Sequence, residues 1–429
     1  MEQLLETGPA AAGASRLSFW KNPTGWLFEK KLSRNFWVFF TVAFFFDFGF
    51  SIYFFLFNLY LLDFHFNERV IGLVGGALTL GTVAGTLPAG WLARKIGLRP
   101  PLVCCLIAAP FLGAMRAMAM WEWAQIGLAF LVGLAMCIWG VCFLPMVARL
   151  TTTENRASAF SLIFSVSIGT SALGGLISGY LPLWLKMAGY AMQASDVKRM
   201  ILLGACGLAS IGLIPLLRLQ NPEHESEHPA ADETAKQPWK VSPFLLRFLP
   251  SMALWTAVLG SFATFANVYL SRDLHISLAR IGLIFSLARV VQLCVGLLTP
   301  LVFRVLGLLN GIVATQVATA VALICLAGTT NRTLAVALYL TFAAMQWMGS
   351  PGLYNLLMSK VPDRERSSAS AMTMFCNALM QSGAIAGAGI LFARFGYPRV
   401  LAGIAGMALI AALLFKSFDI PGGRKSTAD

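Results

Sequence analysis

Two charged residues stand alone inside long apolar stretches. Asp47 interrupts the run 36–62 and Arg289 the run 278–303, each about eleven residues from one end. A charge in hydrocarbon costs roughly 2.5–3.5 kcal/mol on insertion scales, so one retained there marks a functional site by default. Asp47 is the only acid in any apolar run, which makes it the one carboxylate able to take up and release a proton at depth. A plainer reading also stands, in which Asp47 bonds a neighbouring hydroxyl such as Ser51 and fixes its helix. Arg289 stays protonated at any relevant pH and offers five donors in a planar fork, a match for a carboxylate or phosphate. Its plainer reading is a structural ion pair with Asp47. If that pair formed, its breaking by solute or proton would couple binding to a conformational change.

Uncharged polar residues lie at similar depth. Gln292 shares the Arg289 helix face, Asn267 sits in the run 246–270, Gln346 precedes Trp347, and Asn377 and Gln381 are one turn apart. Amides in lipid need partners, so these face one another or a cavity. With Trp139 they are the candidate substrate contacts. They are few for a sugar site, and with the aromatic run around Phe44, Phe45 and Phe46 the mixture suits an amphipathic or partly aromatic anion. Arg116, near the end of the run 100–120, reads as a cation that snorkels to the interface.

The elements that position these residues follow from composition. The chain has 429 residues, 58% hydrophobic and 12% charged, where soluble domains carry about 25% charge. The apolar residues come in runs long enough to cross about 30 Å of hydrocarbon at 1.5 Å per residue. The runs are 36–62, 69–92, 100–120, 123–149, 157–184, 199–218, 246–270, 278–303, 307–328, 333–358, 367–393 and 399–418. The expected fold is therefore an all-α membrane protein of twelve transmembrane helices. One break is long: 219–243 holds several prolines and acids, cannot bury a core, and reads as a flexible linker. It separates a six-helix bundle at 36–218 from a second at 244–418. A leader at 1–35 and a tail at 419–429 complete the chain, and the leader lacks a cleavage site after a short apolar core. Lysine and arginine collect on the side of the termini and linker, which predicts cytoplasmic termini in a multi-pass protein of the cell membrane.

The net charge of +13 is on this reading a topology signal, and no basic soluble domain supports nucleic-acid binding. All eight cysteines fall in apolar runs and read as packing residues without metal-ligand spacing. His224 and His228 in the linker read as part of a solvated charge run. No phosphate-binding Gly-x-x-x-x-Gly-Lys pattern occurs, and no cofactor is expected.

The two halves repeat at an offset of 210 residues. Ile71-Gly72-Leu73 recurs as Ile281-Gly282-Leu283, Arg94 with Gly97 as Arg304 with Gly307, and Arg156-Ala157-Ser158-Ala159 as Arg366-Ser367-Ser368-Ala369. Asn58, Tyr60, Asp63 and His65 are matched by Asn267, Tyr269, Asp273 and His275 with one residue of slippage. Halves with an even helix number share one orientation, so their axis lies along the membrane normal and a shared site lies near the midplane between them. The paired Asp-x-His turns precede capping-type residues, Asn67 and Ser277. They read first as turn structure and alternatively as a symmetric pH sensor.

Over its full length the sequence resembles the major facilitator superfamily. The resemblance rests on the segment Gly90-Trp91-Leu92-Ala93-Arg94-Lys95-Ile96-Gly97-Leu98-Arg99, which is similar to the family's signature loop between its second and third helices. It implies two six-helix bundles, a cavity lined by the first, second, fourth and fifth helices of each half, and a gating role for Gly90, Arg94, Lys95, Gly97 and Arg99. Arg94 stands where the family usually has an aspartate, and Arg304 repeats the departure. A cation is repelled by a helix N-terminus, so the inner latch is expected to use Glu154, Asp363 or Glu365 instead. The drug-antiporter patterns of the fourth and fifth helices are absent, since Gly133 and Thr170-Ser171 stand in their places.

Together these features predict a secondary carrier of a small anionic or zwitterionic organic solute, not an enzyme. It is expected to work by alternating access as a monomer, with Asp47 as the proton carrier, or with another coupling ion. An exporter of amphipathic or lipid-like compounds and a non-transporting sensor of the same fold are the alternatives.

Overall fold

A computed structural model of the chain describes residues 32–152, 155–189, 193–219, 243–361 and 366–419. Twelve long helices make up these residues: α1 (Arg34–Asp63), α2 (Glu68–Ile96), α3 (Arg99–Met118), α4 (Glu122–Arg149), α5 (Arg156–Met187), α6 (Ala194–Arg218), α7 (Pro243–Arg272), α8 (Leu278–Leu306), α9 (Leu308–Gly328), α10 (Arg332–Lys360), α11 (Arg366–Phe395) and α12 (Tyr397–Lys416). Eleven are long and apolar enough to cross a membrane. The other, α10, is 29 residues long, but Gln346, Ser350, Pro351 and Gly352 dilute its apolar character. α6 is interrupted at Gly212 and α7 at Thr264–Phe265. The leader at 1–31, most of the linker, and Glu154, Asp363 and Glu365 lie outside the described residues.

Local chemistry sets the helix ends. Ser33 caps α1 by accepting from the Phe36 amide, and Asn67 caps α2 by accepting from Val70. Ser277 occupies the cap position of α8 without a side-chain cap bond. Gly97 and Gly307, 210 residues apart, close α2 and α8 with φ of 84° and 80°, a region that glycine enters without a Cβ penalty. The repeat extends to two residues that pay that penalty. His65 and His275 take φ of 62° and 51°, which fixes the paired turns as tight reversals.

α1–α6 pack as one bundle and α7–α12 as the other, and they meet along α2 with α11 and α5 with α8. Both seams lie toward the face opposite the termini, called here the far face. They are made of small residues, which lets backbones approach closely. Gly72 meets Gly389 and Gly282 meets Gly179, and each pair maps onto the other at the 210-residue offset. Ser382 donates to the Gly76 carbonyl at 2.7 Å, and Ser286 to the Ala172 carbonyl at 2.5 Å; these join the same pair of mate positions, with donor and acceptor exchanged. Asn58 donates to the Thr264 carbonyl and Asn267 to the Phe55 carbonyl, at 2.9 and 3.0 Å, related by the slipped offset of 209.

Toward the terminal face the same helices part. Leu87, Leu297 and Met374, on the terminal halves of α2, α8 and α11 and in line with the seam contacts of those helices, are 77, 76 and 62% exposed. The bundle is thus closed at the far face and open at the terminal face.

Candidate functional site

α5 carries the geometry of the site. On one side of it, Asp47 of α1 lies beside the Ser167 hydroxyl, which lines the same cleft, and near the Trp139 indole of α4. One turn further along α1, Ser51 donates to the Thr170 carbonyl at 3.1 Å. Trp139 is clamped by Phe39, Phe46 and Phe143, with ring centroids 6.1, 4.4 and 5.0 Å away. A small cleft, partly open, reaches Asp47 between Phe40, Phe44, Ile163 and Thr170. Both polar neighbours of the carboxylate are neutral.

On the other side of α5, Ser286 of α8 touches Ala172, and Arg289 follows one turn nearer the terminal face. Arg289 is exposed, and its Nη1 donates to Gln292 Oε1 at 3.1 Å. Gln292 Nε2 donates to the Ala343 carbonyl of α10 at 3.3 Å, so the amide orients the guanidinium. From Ala172 back to Ser167 is about 7.5 Å along α5, and from Ser286 to Arg289 about 4.5 Å along α8. Asp47 and Arg289 therefore lie within about 3 Å of one depth, directly beneath the closed seam. They form no ion pair among the described residues. The pairing considered from sequence is replaced by two separate sites flanking α5.

The other sequence-derived candidates divide. Trp139 lies near Asp47. Asn267 is buried in the far-face seam, bonded to Phe55, and in this conformation it joins the halves and does not line the opening. Gln346 and Asn377 are half-buried, and Gln346 Nε2 and Asn377 Oδ1 lack partners among the described residues. Gln381 packs on Gly260 of α7. Trp347 is 47% exposed and abuts Gly296 of α8. In the signature segment, Gly90 borders open space, Arg94 and Lys95 are exposed, Lys95 lies 4.8 Å above the Trp91 ring, and Arg99 donates to the Leu217 carbonyl of α6. Arg116 does not snorkel. It is 2% exposed, with its guanidinium 4.0 Å above the Phe57 ring.

Sequence reasoning missed the ionic contact that joins the halves. Arg272 Nη1 at the end of α7 donates to both carboxylate oxygens of Glu68 at the start of α2, at 2.8 and 3.0 Å. The Glu68 side chain is 6% exposed and that of Arg272 55%. The signal was the repeat itself, because position 278, the mate of Glu68, is leucine, so the latch exists once. The paired turns also differ: Asp63 bonds Lys198 within its own half at 2.8 Å, whereas Asp273 sits beside the latch. Partial burial pushes the Asp273 carboxyl above its usual range and Glu68 adds to this, while Arg272 and His275 oppose it.

A raised carboxyl pKa means that the closed far face is favoured while Asp273 is protonated, and loses that advantage as pH rises through the raised value. Acidification below neutral is therefore expected to close the far face further, and Asp273→Asn to hold it closed at neutral pH. Spin labels at the exposed far-face positions 121 and 399 would report this as a shorter interlabel distance in acid and in the variant. An unchanged distance distribution in both would remove Asp273 from the latch.

A family model described as Major Facilitator Superfamily matches residues 39–385. No curated protein matches. Among solved structures, the nucleoside transporter NupG is 16% identical with a TM-score of 0.72, covering 91% of this chain and 100% of its own. A bacterial homolog of the human lysosomal transporter Spinster, inward-facing and unoccupied, is 12% identical with a TM-score of 0.70 and the same coverage. The xylose transporter XylE from E. coli, in an inward open conformation, is 14% identical with a TM-score of 0.69, covering 91% of this chain and 97% of its own.

Proposed function

The chain belongs to the major facilitator superfamily, and from that premise we propose that it is a proton-coupled secondary carrier of a small organic anion or zwitterion. Asp47 carries the proton and Arg289 holds the acidic group of the solute. The observation that supports this most is the pair of unneutralised opposite charges at one depth, one in each half, at the head of the opening. A carboxylate with neutral neighbours and no ion-pair partner among the described residues can change its protonation without breaking an ion pair. A guanidinium oriented by Gln292 and left open presents its remaining donors to an incoming carboxylate.

The excess of Lys and Arg on the terminal side puts that face in the cytoplasm, so the conformation described here is the inward-open one. Opening the far face requires the two glycine contacts, the reciprocal asparagine bonds and the Glu68–Arg272 latch to part. Arg94 and Lys95, exposed in this state, then come within reach of the opposite half, with Gly90, Gly97 and Arg99 shaping their loop. The carrier acts as a monomer in the cell membrane. Two of the similar structures are of a nucleoside and a xylose transporter, whereas the lone arginine here favours an acidic solute.

Uptake into proteoliposomes under an imposed pH gradient, across organic anions, amino acids, sugars and cationic dyes, tests this reading. Gradient-dependent uptake is expected for anions or zwitterions and not for the dyes. Uptake of the dyes alone would support the alternative of an amphipathic exporter, which the aromatic cleft beside Asp47 favours. Binding without flux would make the chain a sensor.

A further inference from the structure

Resting on the reading that Arg289 holds the solute's acidic group, we propose that the solute is an aromatic carboxylate whose ring sits on the Trp347 indole, and that Gly296 is the position that lets the indole take its place on α8. The argument starts from the rotation of α8. At 3.6 residues per turn, Gly282 and Ser286, which touch α5, lie roughly 20° and 60° to one side of Arg289. Gln292, which bonds α10, lies roughly 60° to the other. Arg289 thus points into the gap between α5 and α10. An exposed arginine at mid-span does not face lipid, so this gap is the water-filled opening. Gly296, seven residues on, returns to within roughly 20° of Arg289 and faces the same gap.

Trp347 reaches that wall from α10. A Cβ built on Gly296 would lie 3.3 Å from Trp347 Nε1 and 3.4 Å from Cδ1, so the missing side chain lets the indole edge rest on α8. The ring is still 47% exposed, and its open surface adjoins the gap that Arg289 occupies. One wall therefore offers an oriented guanidinium and, about 10 Å further toward the terminal face, an indole ring. Aromatic pairs prefer offset or edge arrangements and add specificity beyond area. Leu293, 45% exposed, lies between the two anchors and faces the apolar linker of such a solute.

Calorimetric titration of the purified full-length chain with 4-phenylbutyrate, hexanoate and neutral 4-phenylbutanamide tests this. The wild type is expected to bind 4-phenylbutyrate more tightly than hexanoate and not to bind the amide. Trp347→Leu and Gly296→Ala are each expected to weaken 4-phenylbutyrate binding by roughly two- to tenfold while leaving hexanoate unchanged. Trp347→Phe keeps a ring in place and is expected to retain the preference, which separates loss of stacking from misfolding. Equal affinities for the two carboxylates, or equal losses for both in Trp347→Leu, would overturn the aromatic assignment; the carrier reading would survive if Arg289→Gln still weakened carboxylate binding at least tenfold. Absence of carboxylate binding in the wild type, or binding indifferent to Arg289→Gln, would overturn both.

Discussion

Asp47→Asn is expected to abolish proton-driven accumulation while leaving solute exchange in place. Asparagine keeps the shape of the side chain and can still meet Ser167, but it cannot carry a proton. Each unit of pH difference supplies about 1.4 kcal/mol per proton, so a one-proton carrier in a one-unit gradient concentrates its solute up to about tenfold. The variant is expected to equilibrate without concentrating, as measured by uptake of labelled solute with and without the gradient. Counterflow exchange in the same vesicles shows that the variant still folds and binds. If exchange is lost as well, the residue holds α1, α4 and α5 together through Ser167 and Trp139 and carries no proton.

Arg289→Gln is expected to weaken binding of the anionic solute by roughly ten- to a hundredfold, the range given by hydrogen bonds to charged groups at about 1.5–3 kcal/mol. Arg289 is exposed and bonded only to the neutral Gln292 among the described residues, so its removal leaves no buried acid unpaired and the fold is expected to be retained. Gln292→Ala removes the orienting amide alone and is expected to cost less than Arg289→Gln. Equilibrium titration of both variants measures the difference. Unchanged affinity in Arg289→Gln would move the binding site to the half-buried amides Gln346 and Asn377.

Much of the architecture was legible because lipid imposes a simple rule. A helix must be apolar over its whole span, and the twelve runs follow the twelve helices to within a few residues at most ends. The repeat was equally readable. Its offsets, 210 with one slip to 209, reappear in space as reciprocal contacts, Gly72 with Gly389 against Gly282 with Gly179, and Asn58 with Thr264 against Asn267 with Phe55.

Side-chain facing was not legible. An almost uniformly apolar helix such as α1 has no polar stripe to fix its rotation, so whether Asp47 turned toward Arg289 or toward α5 could not be read from spacing. Asn267 looked like a cavity residue because it is polar and in a span, yet a buried amide is equally well satisfied by a carbonyl across a seam. Arg116 looked free to snorkel, but Phe57 and the bundle interior hold it.

The latch escaped for a different reason. Glu68 and Arg272 sit at helix ends, where a charge needs no explanation, and only the fold brings positions 204 residues apart into contact. A comparison of the halves for positions where the repeat breaks would have pointed to Glu68 opposite Leu278. The same comparison would have set Asp63, bonded to Lys198 in its own half, apart from Asp273 beside Arg272.

Coupling through Asp47 is tested most directly by proton movement itself. Wild-type proteoliposomes loaded with a pH-sensitive dye are expected to show a proton flux when the transported solute is added on one side with no pH gradient imposed. Asp47→Asn vesicles are expected to exchange the same solute without any dye response. A dye response in Asp47→Asn equal to that of the wild type would contradict proton coupling at this residue.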